Sequence, residues 1–318
     1  MKGLIIIPIV IGSGLLIAGG ALFGVAAYKS SKNNAVEPKE YKAEDLGAFN
    51  KFDIDLTIAD LEFKASDTTK VLVEETKYDV HTVEVADNTL KIKGQDTRKW
   101  YEHLFNWNWF QKVKVTVYMP AGTYEDLKIT SATGNVTVPS DFSFASFTTA
   151  VSTGNVNNKA NVTGNVKVTT STGNINFEGV TANSMELKAS TGWIKLKDVD
   201  VTEGINLKTS TGDFKLENVR CKSYESSSST VDVDFNNVVV TSSVTIKNDT
   251  GHVKMISSDA ETLDIKTSTG DVKLELLSSK IVQADTSTGK KNIPTDSVTG
   301  GLCKIKTSTG DITVKFVG

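Results

Sequence analysis

Residues 263–274 read LDIKTSTGDVKL, and this stretch decides the fold. Apolar side chains alternate with polar ones before Gly270, and the same alternation resumes after it. An alternation with a period of two is typical of a β-strand that buries one of its faces. Glycine tolerates the positive φ angles that a sharp corner requires. The stretch therefore predicts two short strands that meet at a Thr-Gly corner.

This corner recurs along the second half of the chain at intervals of 19 to 21 residues. One interval of 39 residues spans two periods, and Val231 occupies the glycine position at its middle. The corner glycines are Gly134, Gly154, Gly173, Gly192, Gly212, Gly251, Gly270, Gly289 and Gly310. Ten copies with a period near 19.6 residues cover residues 127–318. Self-similarity at such a period predicts one parallel β-solenoid, an all-β fold built from stacked coils.

The apolar residues fall in four columns, which lie seven and five residues before each corner and two and four residues after it. A single coil cannot bury these columns, so we expect coils to stack at about 4.8 Å into one continuous core. The copy at Gly289 fits least well, because Lys290 and Lys291 interrupt the pattern. The sequence after it, NIPTDSVTGG (292–301), is typical of a loop.

Residues 46–126 lack the Ser-Thr-Gly marker but still alternate, as at Phe52, Ile54 and Leu56. We expect this region to start the β-structure and to cap the first coil of the solenoid in residues 127–318. The final coil ends at the C-terminus without an obvious cap. An open strand edge favours pairing, so we expect end-to-end self-association through that coil.

Leu4 to Tyr28 form a run of 25 residues without a charge, and a bilayer core needs about 20. The run predicts a single transmembrane helix, with an anchor at residues 1–29 and a polar linker at residues 30–45. A cleaved signal peptide remains an alternative because residues 25–27 are small. We expect a single-pass cell-membrane protein with an extracytoplasmic body, although the few lysines near the run slightly favour the opposite orientation.

The composition argues against several classes of function. The 35 basic and 38 acidic residues give a net charge of −3, and only Arg98 and Arg220 are arginines, which does not favour nucleic acid. Ser and Thr supply about one residue in five, but with only five Pro, unlike a mucin-type stalk. Cys221 and Cys303 lie about four coils apart in the predicted stack, roughly 20 Å, so we expect two free thiols.

Three segments carry a resemblance to a known family: DNTLKI (87–92), VTVYMP (115–120) and STGDVKL (268–274). With the N-terminal apolar run, the chain resembles the bacterial family of candidate adhesins, surface proteins made of β-strand repeats that were long classed as a domain of unknown function. The resemblance covers about residues 46–318. It implies a β-repeat surface protein and supplies no catalytic residues. The chain is also similar to membrane-anchored proteins encoded beside bacterial envelope-stress systems.

No motif predicts catalysis or a cofactor. The histidines, His81, His103 and His252, are far apart, and no His or Cys spacing suits zinc. The residues after each corner form a surface row: Asn135, Asn155, Asn174, Trp193, Asp213, Asp232, His252, Asp271, Lys290 and Asp311. We interpret this row as turn chemistry. The alternative is an acidic site that binds Ca²⁺ or performs acid–base chemistry on a polysaccharide. In sequence order, Asp213 and Asp232 are the only carboxylates of this row that are neighbours.

Two further surfaces are candidates for binding. Thr-Ser-Thr triplets such as Thr307–Thr309 precede the corners, and they either stabilise the backbone or present hydroxyls to sugars or ice. The second surface is an aromatic segment formed by Trp100, Tyr101, Phe105, Trp107, Trp109 and Phe110. It either packs in the N-terminal cap or is an exposed patch for glycan, membrane or protein contact.

Three functions are compatible with these patterns. We favour a membrane-anchored, non-catalytic binding or structural module of the cell envelope, with a cell-wall glycan or an envelope protein as partner. The alternative is an accessory protein of envelope-stress signalling that acts through a protein partner. The third is a polysaccharide-acting β-helix enzyme, which would require a cluster of carboxylates in a groove.

Overall fold

The computed structural model describes residues 37–99, 113–295 and 297–318. The predicted anchor at residues 1–29 and the predicted aromatic patch at residues 100–110 lie outside these ranges. Among the described residues, no helix is both long and apolar enough to cross a membrane.

The N-terminal region starts the solenoid. Its elements are β1 Glu37–Lys42, α1 Ala43–Leu46, β2 Lys51–Ala65, β3 Lys70–Glu75, β4 Asp79–Ala86, β5 Thr89–Asp96 and β6 Val113–Met119. Strand β2 is itself a coil, because its first half pairs in parallel with β5 and its second half with β6. Three antiparallel strands close this end: β4 pairs with β5, β3 with β6, and β1 with β3.

The remaining strands build the stack of about ten coils that the repeats predict. They are β7 Gly122–Thr133, β8 Val136–Val138, β9 Phe142–Thr153, β10 Val156–Asn158, β11 Asn161–Val162, β12 Asn165–Thr172, β13 Ile175–Glu178, β14 Thr181–Ala182, β15 Ser184–Thr191, β16 Ile194–Thr211, β17 Phe214–Thr230, β18 Val233–Thr250, β19 Val253–Thr269, β20 Val272–Leu276, β21 Lys280–Thr288, β22 Lys291–Asn292, β23 Gly301–Thr309 and β24 Ile312–Phe316. Neighbouring coils pair in parallel, so the predicted all-β solenoid is confirmed.

Each apolar column continues from coil to coil. Val166 pairs with Met185, and Met185 pairs with Ile205, at the position seven residues before the corner. Ile175 pairs with Ile194 at the position two residues after it. These side chains are at most 2% exposed, so the columns form the core. The apolar surface that they remove from water is the main stabilising contribution to the fold.

The corner glycines are required by both backbone angle and space. All nine have φ between 129° and 156°. A Cβ atom at any of them would lie 1.8 to 2.2 Å from a carbonyl oxygen of the adjacent coil. Val231 takes the corner position of its coil without a positive φ and with a buried side chain. The glycines therefore allow the coils to approach to strand-pairing distance.

A second corner, six residues after the first, was not found in the sequence analysis. It is occupied by Gly179, Asp198, Asn218, Asn237 and Ser257, with φ between 46° and 66°. Gly, Asn and Asp are the residues that most readily adopt this left-handed conformation. The Asn218 amide donates to Asp198 at 2.7 Å, and the Asn237 amide donates to Asn218 at 2.8 Å. These bonds make a second polar series along the stack.

Aromatic side chains fill the core near the N-terminal end. Phe52 lies edge-on to Phe63 and to Phe144, with ring centroids 5.7 and 5.9 Å apart. Tyr124 joins this cluster from the next coil, 5.5 Å from Phe52. Edge-to-face pairs add stabilisation beyond the area that the rings bury.

The C-terminal coils stack out of sequence order. Strands β19 and β20 pair with β23 and β24, with Leu263 opposite Cys303. Strands β23 and β24 then pair on their other side with β21 and β22. The coil of residues 301–316 is therefore inserted before the coil of residues 280–292. Our expectation that the C-terminal coil ends the stack with an open edge is wrong.

The apolar content of the two coils explains this order. In the coil of residues 280–292, Val282 and Ala284 are partly exposed, and Lys291 occupies an apolar column. The coil of residues 301–316 fills all four columns with side chains that are at most 2% exposed. A terminal repeat has solvent on one side, so the more polar coil is favoured there. End-to-end self-association would have to use this polar coil.

Candidate binding surface

The residues after the corners form one hydrogen-bonded series, which we call the corner row. In spatial order it contains Asn135, Asn155, Asn174, Trp193, Asp213, Asp232, His252, Asp271, Asp311 and Lys290. Its Asn, Asp and His side chains accept hydrogen bonds from the backbone amide of the next member, at donor–acceptor distances of 2.7 to 3.4 Å. The Asp60 carboxylate begins the series by accepting from the Asn135 amide at 2.7 Å. Except between Trp193 and Asp213, the corner row thus ties each coil to its neighbour.

Trp193 interrupts the corner row. Its indole offers no acceptor, and the Asp213 amide that follows it has no side-chain acceptor within the described residues. Trp193 is 39% exposed, so its side chain gains only part of the benefit of burial. This coil therefore lacks a contact that the neighbouring coils make.

The stacking order corrects our account of the carboxylates in this row. Asp271 and Asp311 are neighbours, and Lys290 lies beyond Asp311 rather than between them. Asp213 and Asp232 are also neighbours, but an Oδ1 atom of each accepts a backbone amide. In the described part of the chain, no group of three His, Cys, Asp or Glu residues could hold a metal ion.

The Thr-Ser-Thr triplets divide between the interior and the surface. The first Thr points inward: Thr307 is 1% exposed, and its hydroxyl donates to the Gly270 carbonyl of the adjacent coil at 3.2 Å. Thr267 makes the same bond to Gly251 at 3.4 Å. Only the Ser and the second Thr of each triplet face solvent. The first Thr therefore stabilises the glycine corner, which removes it from any binding surface.

A line of lysines runs beside these exposed hydroxyls, four residues before the corners. This lysine row consists of Lys188, Lys208, Lys247, Lys266 and Lys306. Strand register places Lys188 beside Lys208, and it places Lys247, Lys266 and Lys306 on three successive coils. Ser227 separates the two groups. This row was not predicted from the sequence, although it is visible there as a column of lysines four residues before the corners.

A shallow cleft of about 470 Å³ lies over the C-terminal part of the lysine row. Its lining includes Lys247, Lys266, Lys306, Ser229, Ser268 and Ser308. It crosses about five coils, or roughly 19 Å along the stack at the spacing of paired strands. The cleft is polar and open, unlike the mostly apolar pockets that enclose small molecules.

The remaining reactive groups are buried, belong to the corner row or lie outside the described residues. Cys221 and Cys303 are free, and burial raises the pKa of each thiol to about 12, so neither ionises near neutral pH. The His81 ring is buried in the N-terminal region, where burial lowers its pKa despite the nearby Glu75 carboxylate. His252 belongs to the corner row, and His103 lies outside the described residues.

Several solved structures of bacterial proteins have a similar fold. One, described as a candidate adhesin from Parabacteroides distasonis ATCC 8503, is 16% identical, with 90% of this chain and 98% of that chain covered at a TM-score of 0.49. A second candidate adhesin, from Bacteroides fragilis NCTC 9343, is 17% identical, with coverages of 88% and 97% and a TM-score of 0.43. A candidate lipid-binding protein, also from Parabacteroides distasonis ATCC 8503, is 16% identical, with coverages of 90% and 96% and a TM-score of 0.38.

No curated protein matches the chain. The family model described as Toastrack DUF4097 matches it twice, over residues 49–230 and 200–318. These two matches together span the N-terminal coil, every Ser-Thr-Gly corner and the inserted C-terminal coil. The chain therefore belongs to the Toastrack DUF4097 family.

Proposed function

We propose that this protein is a non-catalytic binding rod of the bacterial cell envelope, with its solenoid outside the cytoplasm and its N-terminal run in the membrane. The uncharged run from Leu4 to Tyr28 supports the anchor. The polar segment that follows supports a tether between membrane and solenoid.

One observation carries the proposal of binding: within the described residues, the lysine row and the Ser hydroxyls two residues before the corners form no hydrogen bond or ion pair with a neighbouring coil. The side chains of the corner row contact the next coil, and the first Thr of each triplet contacts a glycine carbonyl. The lysine row and the exposed hydroxyls beside it are left for other molecules. A surface that repeats along the stack suits an extended partner.

The same contacts support a non-catalytic role. General acid–base catalysis requires a carboxyl group that can reach a substrate and exchange a proton. In the corner row, Asp213 and Asp232 each accept a backbone amide instead. Both described thiols are buried and protonated near neutral pH.

The membrane placement is tested by fractionating cells that produce the full chain with a C-terminal epitope. We expect the epitope in the membrane fraction, resistant to alkaline extraction and accessible to protease on cells with a permeable wall. A variant with Leu16→Lys, which places a charge in the middle of the run, should reduce membrane retention. The matched control Lys32→Gln, outside the run, should retain it.

Mass spectrometry of the purified protein separates the anchor from a cleaved signal peptide. A chain that begins at Met1 or Lys2 supports the anchor, whereas a chain that begins near Tyr28 shows cleavage. An epitope protected from protease until the inner membrane is broken would contradict the extracytoplasmic placement.

A further inference from the structure

The lysine row concentrates positive charge on one face of a chain whose net charge is negative. Within the described residues, Lys188, Lys208, Lys247 and Lys306 form no ion pair, and only Lys266 has an acidic partner, Asp264 at 3.1 Å. The two acids that share the exposed positions four and two residues before the corners are Asp249 and Asp285. At these positions five lysines stand against two carboxylates, one of which, Asp249, lines the cleft. The solvent-facing position six residues before the corners is mixed, with the acids Glu186, Glu225 and Asp264 and the lysines Lys128, Lys167 and Lys304. The excess of positive charge therefore lies along the lysine row itself.

The spacing of the row makes its charges act together. Lys247, Lys266 and Lys306 stand on successive coils, about 4.8 Å apart in the stack. The Debye length at physiological salt is about 8 Å, so each lysine lies within the field of the next. Neighbouring like charges repel one another in the free protein. An anion beside them relieves that repulsion.

Hydroxyl groups beside the lysines add hydrogen-bond donors. Ser229, Ser268 and Ser308 line the same cleft as the three successive lysines. Lysine and serine together offer charge and neutral donors to the oxygens of phosphate or carboxylate groups. The cleft runs along the stack, so a linear molecule can contact several coils at once.

A second set of lysines shows that this arrangement is not a general property of the surface. Lys195, Lys215, Lys254 and Lys273 lie three residues after the corners, beside the carboxylates of the corner row. Lys195 pairs in register with Lys215, and Lys254 with Lys273. Asp234 separates Lys215 from Lys254. Lys215 lies 3.8 Å from Asp213, and Lys273 lies 3.1 Å from Glu275. Charge on that face is balanced, so it serves as a matched control.

We propose that the lysine row binds a linear anionic polymer that lies along the axis of the solenoid. The polymer carries repeated phosphate or carboxylate groups, and its contacts with successive coils act together to give an affinity that one small anion would not reach. This inference deepens the proposed function by naming the ligand class of the binding rod.

Binding is measured with the purified full chain in a neutral detergent and two fluorescent polymers, poly(glycerol phosphate) and polygalacturonate. We expect at least one to bind, with an affinity that falls steeply as sodium chloride rises. The triple variant Lys247→Gln, Lys266→Gln and Lys306→Gln should weaken binding about tenfold or more. The control triple variant Lys215→Gln, Lys254→Gln and Lys273→Gln should change it less than about twofold.

The two polymers distinguish the sources of negative charge. Selective binding of poly(glycerol phosphate) assigns the row to phosphate polymers, and selective binding of polygalacturonate assigns it to acidic polysaccharides. The inference is overturned if neither polymer binds, if both triple variants lose affinity equally, or if neutral dextran binds as well as the polymers.

This assay and the localisation experiment can fail separately. Loss of binding in the lysine variants, together with a cytoplasmic solenoid, would retain the anionic ligand class and contradict the envelope setting. An extracytoplasmic solenoid without polymer affinity would retain the envelope setting and contradict the ligand class.

Discussion

The corner row and the lysine row lie on either side of the same corners, the first with a member in every coil and the second with a member in five coils, and their contacts differ. In the corner row, short Asn and Asp side chains accept the amide of the next coil, as Asp232 accepts from His252 at 2.7 Å. In the lysine row, four of the five ammonium groups have no ion pair within the described residues. Regular spacing alone therefore does not distinguish a row that stabilises the fold from a row that is available to a partner.

The largest effect is expected at the corner between the two rows. Gly192→Ala would place a Cβ atom 2.0 Å from the Gly173 carbonyl oxygen, at a φ of 142°. We expect a loss of about 4 kcal/mol, because the coils must separate and the backbone must leave a region that essentially only Gly occupies. Urea unfolding followed by circular dichroism measures the loss.

Gly122→Ala is the matched control, because a Cβ atom there meets no atom within 4 Å. Equal destabilisation by the two substitutions would show that close stacking at the corner is not the cause.

A smaller loss is expected within the corner row. Asp232→Ala removes the acceptor of the His252 amide, and we expect unfolding to become easier by about 1 kcal/mol. Asp232→Asn retains an acceptor oxygen, so its free energy of unfolding should stay closer to that of the natural protein. If the Asn variant is as unstable as the Ala variant, the negative charge rather than the hydrogen bond is what stabilises this position.

The interruption at Trp193 gives the converse test. Trp193→Asn would supply the acceptor that the Asp213 amide lacks, as Asn174 does for the Trp193 amide at 3.0 Å. We expect the Asn variant to be more stable than Trp193→Ala by about 0.5 to 1 kcal/mol in the same urea experiment. Equal stability of the Asn and Ala variants would contradict a stabilising role for the series of hydrogen bonds.

The smallest effect is expected in the lysine row. The triple variant Lys247→Gln, Lys266→Gln and Lys306→Gln should shift the thermal midpoint by less than about 2 °C, because exposed charges contribute little to stability. Any rise in the thermal midpoint of this variant should be larger at low salt, where repulsion between the lysines is least screened. A fall of several degrees would show that the row supports the fold, and would remove the contrast with the corner row.

Most of the solenoid could be predicted from the sequence because its determinants are local. The Ser-Thr-Gly corner and four apolar columns are visible within twenty residues, and each coil repeats them. The second corner was equally local, since Asp198, Asn218 and Asn237 recur six residues after the first corner. It was missed because its residue type varies. Strand β2 was not identified as a coil because Ala59, rather than Gly, stands beside Gly134.

The stacking order of the last coils could not be predicted from the repeat pattern. Every coil carries similar columns, so Leu263 could pair in register with either Val282 or Cys303, and the structure selects Cys303. The choice depends on which coil tolerates solvent on one side, a property of the whole stack. Lys291 in an apolar column was the available signal. The hydrogen bonds of the corner row could not be predicted from the sequence either, because they join residues of different coils.

The inserted coil has a consequence for synthesis of the protein. Coils up to residue 276 can stack in the order in which they leave the ribosome. Strands β21 and β22 then emerge with no native neighbour, because in the described structure they pair only with β23 and β24. Those strands extend to residue 316. The coil of residues 280–292 can therefore take its native place only after the coil of residues 301–316 has been synthesised, so the last two coils must fold together rather than one after the other.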